Sequence, residues 1–329
     1  MNKTIVELMQ VPEERRDLNW LKNSLQSAIE VELSTLPPYL CALWSIKNQS
    51  EPAYQLIDGI GLEEMLHMGL ACNMLTTIGG IPQINTSLPA YPGPLPGGVR
   101  PALTVYLAGL SKDYLKDVFM EIEYPESGPI VMALGETYTT IGAFYNAILT
   151  AFKDLSPPIT GKNQLTGMVG DNDLYAITSI AEVEKAINEI KQQGEGTSQL
   201  PTAPDFGGEL AHYYKYAEIW HGNELEYKDG KWQYTGKCIP FPDVYPMLPI
   251  PAGGYPSPSQ EAKNALQAFD AQFMKVLNFL QSAWASGNKS ELGKAIGAMR
   301  GLETLAVALM HIPLPEGNGV YGPQFKLAT

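Results

Sequence analysis

The sequence predicts a mainly α-helical protein built around a four-helix bundle. Apolar residues recur with the helical period in several long stretches, and two of these stretches carry a Glu-x-x-His pair on the apolar face. Two stretches rich in proline and glycine, at residues 81–101 and 230–258, are longer than the connections of ordinary compact domains. We therefore expect long loop insertions that cover or wall a pocket, and two extra C-terminal helices at about 259–286 and 289–311.

The composition limits the class of protein. The 329 residues carry a net charge of −13, which argues against binding to nucleic acids or anionic membranes, because both require basic clusters. No apolar run reaches the ~18 residues of a membrane span, and no charged-then-apolar signal sequence opens the chain. We expect a single cytoplasmic domain over residues 1–329, with the bundle core at about 17–222 and a C-terminal helical extension at about 259–311. A homo-oligomer is compatible with the sequence.

The first of the two pairs is Glu64-x-x-His67. Positions i and i+3 of a helix lie on one face, and here that face is otherwise apolar, with Ile57, Ile60 and Leu75 among its members. A buried carboxylate without a partner has its pKa raised by up to ~3–5 units, so the arrangement favours a compensating cation. A hydrogen-bonded core pair explains this segment alone equally well.

The second pair, Glu209-x-x-His212, repeats the spacing, and its apolar face also carries Tyr213 and Tyr216. Two buried Glu-x-x-His pairs are typical of a carboxylate-bridged dimetal site in a four-helix bundle, which also needs one Glu from each of the two other helices. Glu32 is the single charged residue in the apolar stripe of the first long helix, so we predict that it is one of them. Tyr213 and Tyr216 are candidates for a catalytic role, although core packing explains them too.

A proline pair, Pro37-Pro38, interrupts the first helix one turn after Glu32. A proline inside a helix frees the carbonyl four residues earlier and usually bends the axis. The pair can also mark the end of the helix, but the apolar periodicity resumes at residues 39–43. We therefore predict a bent helix beside the site.

The third bundle helix is predicted at about residues 138–152, and a shorter helix at residues 112–123. The third helix has one bulky face and an opposite face of small residues, which includes Thr140, Ala143 and Ala147. Small residues suit either the wall of a cavity or the close approach of another helix, and we predict a pocket at these three positions. The expected carboxylate is not evident on this helix, because the nearby Glu136 lies about two turns too early.

Residues 179–192 and 209–220 are predicted to be two halves of the fourth bundle helix. A capping box opens the first half, and a polar segment rich in glycine and proline separates the two. If this segment bulges out of a bundle helix, Glu195 lies near the site; otherwise Glu195 is a solvated turn residue. The residues themselves leave both interpretations open.

Six motifs resemble the ferritin-like domain of the iminophenyl-pyruvate dimer synthases, a family that includes the chromopyrrolic-acid-type and violacein-pathway synthases. The motifs are Glu32-Leu-Ser-Thr-Leu-Pro-Pro-Tyr-Leu40, Glu64-Met-Leu-His67, Thr140-Ile-Gly-Ala-Phe-Tyr145, Gln193-Gly-Glu-Gly196, Glu209-Leu-Ala-His-Tyr-Tyr214 and Gly322-Pro-Gln-Phe325. The resemblance implies a ferritin-like four-helix bundle with non-haem iron that oxidatively couples imines of aryl-pyruvates. The metal ligands it implies are Glu32, Glu64, His67, Glu195, Glu209 and His212. The sequence departs from the family at Ala143, where members often carry Glu, so the number of metal ions stays open.

These observations favour a metal-dependent oxidoreductase that uses O₂ or peroxide on a small aromatic or amino-acid-derived metabolite, with imine coupling in natural-product biosynthesis as its specific form. Mixed carboxylate and imidazole ligands suit iron, as one or two ions, with manganese as the alternative. The expected partners are thus a small-molecule substrate and O₂. Two other functions stay open: iron or manganese binding without an organic substrate, and a structural bundle with a degenerate site. Zinc hydrolysis is disfavoured, because the sequence has no His-Glu-x-x-His motif.

Overall fold

The structure, a computed structural model, describes residues 4–125, 140–197 and 200–327, and it confirms the mainly helical fold. The helices are α1 (Ile5–Met9), α2 (Leu18–Ser45), α3 (Pro52–Thr77), α4 (Lys112–Tyr114), α5 (Met120–Ile122), α6 (Ile141–Leu155), α7 (Ile180–Glu195), α8 (His212–His221), α9 (Gln260–Ser286), α10 (Lys289–Met299) and α11 (Leu302–Met310). A π-helical turn, Leu115–Phe119, joins α4 to α5. None of the described helices is both long and apolar enough to cross a bilayer.

The described residues also form two small antiparallel hairpins. Strands β1 (Gly167–Val169) and β2 (Asn172–Leu174) pair with Gly167 opposite Leu174. Strands β3 (Asn223–Lys228) and β4 (Lys231–Cys238) pair with Asn223 opposite Cys238. The predicted loop at 230–258 therefore begins with a strand rather than with irregular structure.

Helices α2 and α3 form the centre of the bundle and bury side chains on most of their surface. Asp17 caps α2 by accepting a hydrogen bond from the backbone N–H of Trp20 at 2.8 Å. The helix continues through its two prolines to Ser45, as predicted. Because Pro38 has no N–H, the carbonyl of Ser34 loses its helical donor, and the hydroxyl of Tyr91 donates to it at 2.6 Å. The loop at 81–101 is thus attached to α2 close to Glu32.

Four further segments surround this pair: residues 112–122, α6, α7 and α8. The predicted third helix is present, although it runs from Ile141 to Leu155 with Thr140 as its cap; residues 138 and 139 lie outside the described residues. The predicted cap at Ser179 opens α7, where its hydroxyl accepts from the N–H of Glu182 at 3.3 Å. Helices α7 and α8 pack against each other and both contact α3.

The C-terminal extension contains three helices instead of the predicted two. The predicted helix at 289–311 breaks at Arg300 and Gly301, so that α10 and α11 are separate. Helix α9 packs on the outside of α3, where the indole N–H of Trp284 donates to Asn73 Oδ1 at 3.0 Å. The extension therefore covers the bundle on the side of α2 and α3.

Candidate metal centre

Five buried side chains from four segments of the bundle form two overlapping groups. The first group contains Glu32 of α2 with Glu64 and His67 of α3, and the second contains Glu64 with Glu123 and His212. Glu123 directly follows α5, and His212 is the first residue of α8. In each group the candidate ligand atoms lie within 4.8 Å of one another. Glu64 belongs to both groups and is placed to bridge them.

His67 points one ring nitrogen at the carboxylates and has the other held by an acceptor. Its Nε2 lies 2.8 Å from the amide oxygen of Gln193, so Nε2 carries the proton and donates it. Its Nδ1 lies 3.5 Å from Glu64 Oε1 and 3.8 Å from Glu32 Oε2. In the neutral imidazole, this tautomer directs the Nδ1 lone pair toward the first group.

His212 has the same arrangement in the second group. Its Nε2 lies 2.9 Å from Glu63 Oε2, and its Nδ1 lies 2.9 Å from Glu64 Oε1 and 3.5 Å from Glu123 Oε2. Although these oxygens are close, the buried Nδ1 makes no hydrogen bond of acceptable geometry within the described structure. A buried ring nitrogen among carboxylate oxygens is costly unless a cation lies between them. The donor set therefore fits a metal ion.

Each carboxylate has one oxygen held by a hydroxyl and the other turned toward the histidines. Tyr145 donates to Glu32 Oε1 at 2.6 Å, and Thr35 donates to Glu64 Oε2 at 2.8 Å. Tyr39 donates to Glu123 Oε1 in a short hydrogen bond. Outer partners of this kind fix the orientation of metal ligands, so the packing of the bundle prepares the carboxylates for coordination.

The charges in the centre shift its pKa values strongly. Burial, together with the charge of Glu64, raises the pKa of Glu32 to about 8. Burial also opposes ionisation of Glu64, but the neighbouring imidazoles of His212 and His67 outweigh it and hold the pKa of Glu64 well below its usual range. Burial disfavours the charged form of His67 too, yet the neighbouring carboxylates of Glu64 and Glu32 outweigh it and raise the pKa of that imidazole. The group of carboxylates thus attracts positive charge, which either protons or metal ions supply.

A cavity of about 40 Å³ lies beside the first group. A volume of this size holds one or a few water-sized ligands. Three residues of α6, Ile141, Gly142 and Tyr145, contribute to its wall. The other residues around it are Val31, Glu32, Thr35, Glu64, His67, Ile122, Glu123, Ile190, Lys191 and Gly194. The cavity is therefore suited to small exogenous ligands next to the carboxylates.

A family model described as Ferritin-like matches residues 25–221, which is more than half of the chain and includes every member of the two groups. The chain belongs to the ferritin-like family. A solved structure of a ferritin-like protein from Caulobacter vibrioides superimposes with a TM-score of 0.64 at 22% identity, covering 94% of this chain and 99% of that one. No curated protein matches the sequence. The specific resemblance to the iminophenyl-pyruvate dimer synthases stays a prediction.

In this ferritin-like bundle, four of the predicted ligands meet: Glu32, Glu64, His67 and His212. The placement predicted for Glu209 is wrong. Helix α8 begins only at His212, so Glu209 is not helical, and its side chain is 67% exposed with Oε2 3.0 Å from Lys215 Nζ. Glu195 is the last residue of α7, and because its side chain lies outside the described part of the structure, its role stays a prediction.

The predicted pocket residues do not line the cavity within the described structure. Thr140 instead caps α6, where its hydroxyl accepts from the N–H of Ala143 at 3.1 Å, and Ala147 is buried elsewhere in the core. The helix turns its bulky side, with Ile141 and Tyr145, toward the carboxylates. The small face of α6 therefore does not form the wall of this cavity.

Of the two candidate catalytic tyrosines, Tyr216 lies closer to the centre. Its buried ring is 5.2 Å from that of Tyr39, whose hydroxyl holds Glu123. Tyr213 packs edge-on against Tyr124 with a centroid distance of 5.5 Å, and it is only partly buried. Tyr216 is thus a packing neighbour of a ligand-orienting tyrosine, and Tyr213 is part of an aromatic cluster nearer the surface.

Proposed function

We propose that this ferritin-like chain binds two metal ions, iron or alternatively manganese, and oxidises a small aromatic or amino-acid-derived metabolite with O₂ or peroxide. The observation that carries the proposal is the pair of groups that share Glu64, each with a histidine Nδ1 turned to carboxylates. Mixed carboxylate and imidazole donors suit Fe(II) and Mn(II). The bound metals would supply the redox chemistry, and the protein supplies binding and orientation.

The side chains of the centre have distinct roles in this proposal. Glu64 would bridge the two ions, Glu32 and His67 would complete one position, and Glu123 and His212 the other. The hydroxyls of Tyr145, Thr35 and Tyr39 hold the carboxylates in place. Glu195, at the end of α7, is retained as a further candidate ligand.

The cavity supports the choice of oxidant, and a lysine beside it supports the substrate class. Its volume of about 40 Å³ accommodates O₂ or peroxide beside Glu32 and Glu64, but not an aryl-pyruvate imine. Lys191 also lines it and donates to Asn146 Oδ1 at 2.7 Å. An ammonium group at this position can pair with the carboxylate of an amino-acid-derived substrate. Oxidative coupling of imines is the specific reaction we propose from the resemblance of the sequence motifs, and an aryl-pyruvate imine would then bind outside this cavity.

A second function is favoured by the same small volume. If no organic molecule reaches the metals, the chain would bind and oxidise iron or manganese without an organic product. Two measurements separate the two functions. Size-exclusion chromatography shows whether the chain assembles into a large storage shell. The products of oxidation show the chemistry, because storage proteins accumulate ferric mineral while an oxidase releases an organic product.

The test begins with anaerobic loading of Fe(II) into the full-length protein, followed by elemental analysis. We expect about two ions per chain, and about one in His67→Ala and in His212→Ala, because each change removes the imidazole of one position. Loaded protein is then exposed to O₂ with a panel of aryl-pyruvate imines, amino acids and indolic metabolites, and products are followed by mass spectrometry. Metal content below about 0.2 per chain, unchanged in both variants, would refute the metal site; oxidation that ends only in ferric mineral would favour the second function.

A further inference from the structure

The two histidines of the centre are held by different kinds of acceptor. His67 donates to Gln193, a neutral amide, whereas His212 donates to the carboxylate of Glu63. The distances are nearly equal, at 2.8 and 2.9 Å. The difference therefore lies in the charge of the acceptor and not in its placement.

Glu63 is itself fixed by a buried cation. Its Oε1 and Oε2 lie 2.9 and 2.8 Å from Lys215 Nζ, and the side chain of Lys215 is only 9% exposed. The same ammonium lies 3.0 Å from Glu209 Oε2, and the Glu209 side chain is 67% exposed. A continuous series of charged groups thus runs from the surface at Glu209 to the ring of His212. This arrangement gives the second Glu-x-x-His motif a structural purpose, although Glu209 is not in either group.

The outer acceptor changes how well an imidazole binds a cation. A carboxylate acceptor polarises the imidazole ring, makes Nδ1 a stronger electron-pair donor to a metal ion, and fixes the orientation of the ring. Loss of such a partner typically weakens metal binding 10–100-fold. A charge-assisted hydrogen bond is roughly twice as strong as a neutral one, so the amide of Gln193 has a smaller effect on His67. The two positions otherwise offer equal donors, since each has one imidazole, one carboxylate of its own and a share of Glu64.

We propose that the two metal positions are unequal and that the His212 position fills first. Glu63 is the positioning residue that sets this order, and Lys215 and Glu209 keep it in place. The inference rests on the proposed two-metal centre and adds the order of occupancy to it. At limiting metal, the chain holds one ion, bound by Glu123, His212 and Glu64.

The experiment is an anaerobic titration of the metal-free full-length protein with Mn(II), with free Mn(II) followed by electron paramagnetic resonance. This readout measures affinity and needs no turnover. In the wild type we expect two steps whose dissociation constants differ by about tenfold or more. In Glu63→Gln the tighter step should weaken about 10–100-fold, and in Gln193→Glu the weaker step should tighten by about tenfold.

Two single-position variants assign the steps. His67→Ala retains the His212 position and should keep the tight step, and His212→Ala retains the weak one. Glu63→Gln should weaken binding in the His67→Ala background and leave it unchanged within about twofold in the His212→Ala background. A merely structural role of Glu63 would weaken both backgrounds alike. Thermal unfolding of each variant, followed by circular dichroism, shows which proteins are folded. If Glu63→Gln does not fold, the test uses Gln193→Glu in the His212→Ala background instead.

The inference is overturned if the two single-position variants bind Mn(II) equally, or if Glu63→Gln and Gln193→Glu affect both positions to the same extent. Either result leaves the proposed two-metal centre standing. Absence of Mn(II) and Fe(II) binding in the wild type would instead refute the centre itself, so the two failures are distinguishable.

Discussion

The first Glu-x-x-His segment lies in the middle of α3, whereas the second straddles the start of α8. In the first, both side chains are buried and face the same group, because residues three apart on a continuous helix lie on one face. In the second, only His212 is buried, and Glu209 extends toward solvent. The same spacing thus produces a pair of ligands in one place and a ligand with a remote charge partner in the other.

The local backbone explains why the second segment is not helical throughout. Gly207 and Gly208 have positive φ values of 83° and 74°, a conformation that favours glycine and interrupts a helix. Leu210 then forms an isolated antiparallel bridge with Thr202. The helix can begin only after this bridge, so the carboxylate for the second group comes from Glu123 instead. The spacing of a motif therefore predicts a shared face only where the helix is continuous.

The sharpest test of this contrast compares Glu64→Gln with Glu209→Gln. Because Glu64 belongs to both groups, its neutralisation should weaken both metal steps by roughly 100-fold or more. The exposed Glu209 should change either step by less than about threefold. Stoichiometry and affinity from Mn(II) titration measure both effects. Equal losses in the two variants would mean that the two motifs are equivalent after all.

Replacement of Glu123 should have the next largest effect, because it removes the carboxylate that takes the place of Glu209. In Glu123→Gln we expect the His212 position to lose roughly tenfold to 100-fold in affinity and the His67 position to change little. Combining Glu123→Gln with His67→Ala isolates the affected position. Undiminished Mn(II) binding in that double variant would show that another carboxylate serves this position, with Glu195 as the first candidate.

Metal binding at the first group should depend on pH through Glu32. Burial and the charge of Glu64 raise the pKa of Glu32 to about 8, so below this pH a metal ion must displace a proton from Glu32. We expect the affinity of the His67 position to rise about tenfold or more per unit from about pH 6 to about pH 8, because His67, whose pKa is also raised, releases a proton too. The His212→Ala variant isolates this position for Mn(II) titration. A Glu32→Gln change in that background should weaken binding and flatten the rise; persistence of the full slope would assign the proton elsewhere.

The smallest effect is expected from Ala143→Glu. Members of the family that the motifs resemble often carry Glu at this position, but here Glu123 is the third carboxylate of the two groups, and residues 141, 142 and 145 of α6 line the cavity. We expect unchanged metal stoichiometry and affinities within about threefold of the wild type, since substitutions away from the site rarely exceed this. A third bound metal or a clear gain in affinity would place this side of α6 next to the metals.

The α2–α3 half of the centre was predictable from the sequence, and the rest only in part. Glu32, Glu64 and His67 lie in long continuous helices, so the helical period placed them together. Glu123 follows the π-helical turn Leu115–Phe119. The extra residue of this turn shifts the phase of the helical pattern by about 100°, so the regular period does not place Glu123 on the buried face. Glu63 was missed for a related reason: neighbours in sequence point to different sides of a helix, and only the tertiary fold brings α8 to its side of α3.

The hydrogen bond from Tyr91 to the Ser34 carbonyl gives the loop at 81–101 a role other than that of a pocket cover. Among the described residues, none from this loop lines the cavity beside Glu32. If the loop detached, the carbonyl that Pro38 leaves without a helical donor would lose its partner, at a cost of about 1–3 kcal/mol. The loop therefore stabilises α2 where its prolines remove backbone hydrogen bonds. Because the two segments share this hydrogen bond, we expect detachment of the loop and local unwinding of α2 next to Glu32 to occur together. Backbone amides of the two segments should then exchange hydrogen at similar rates.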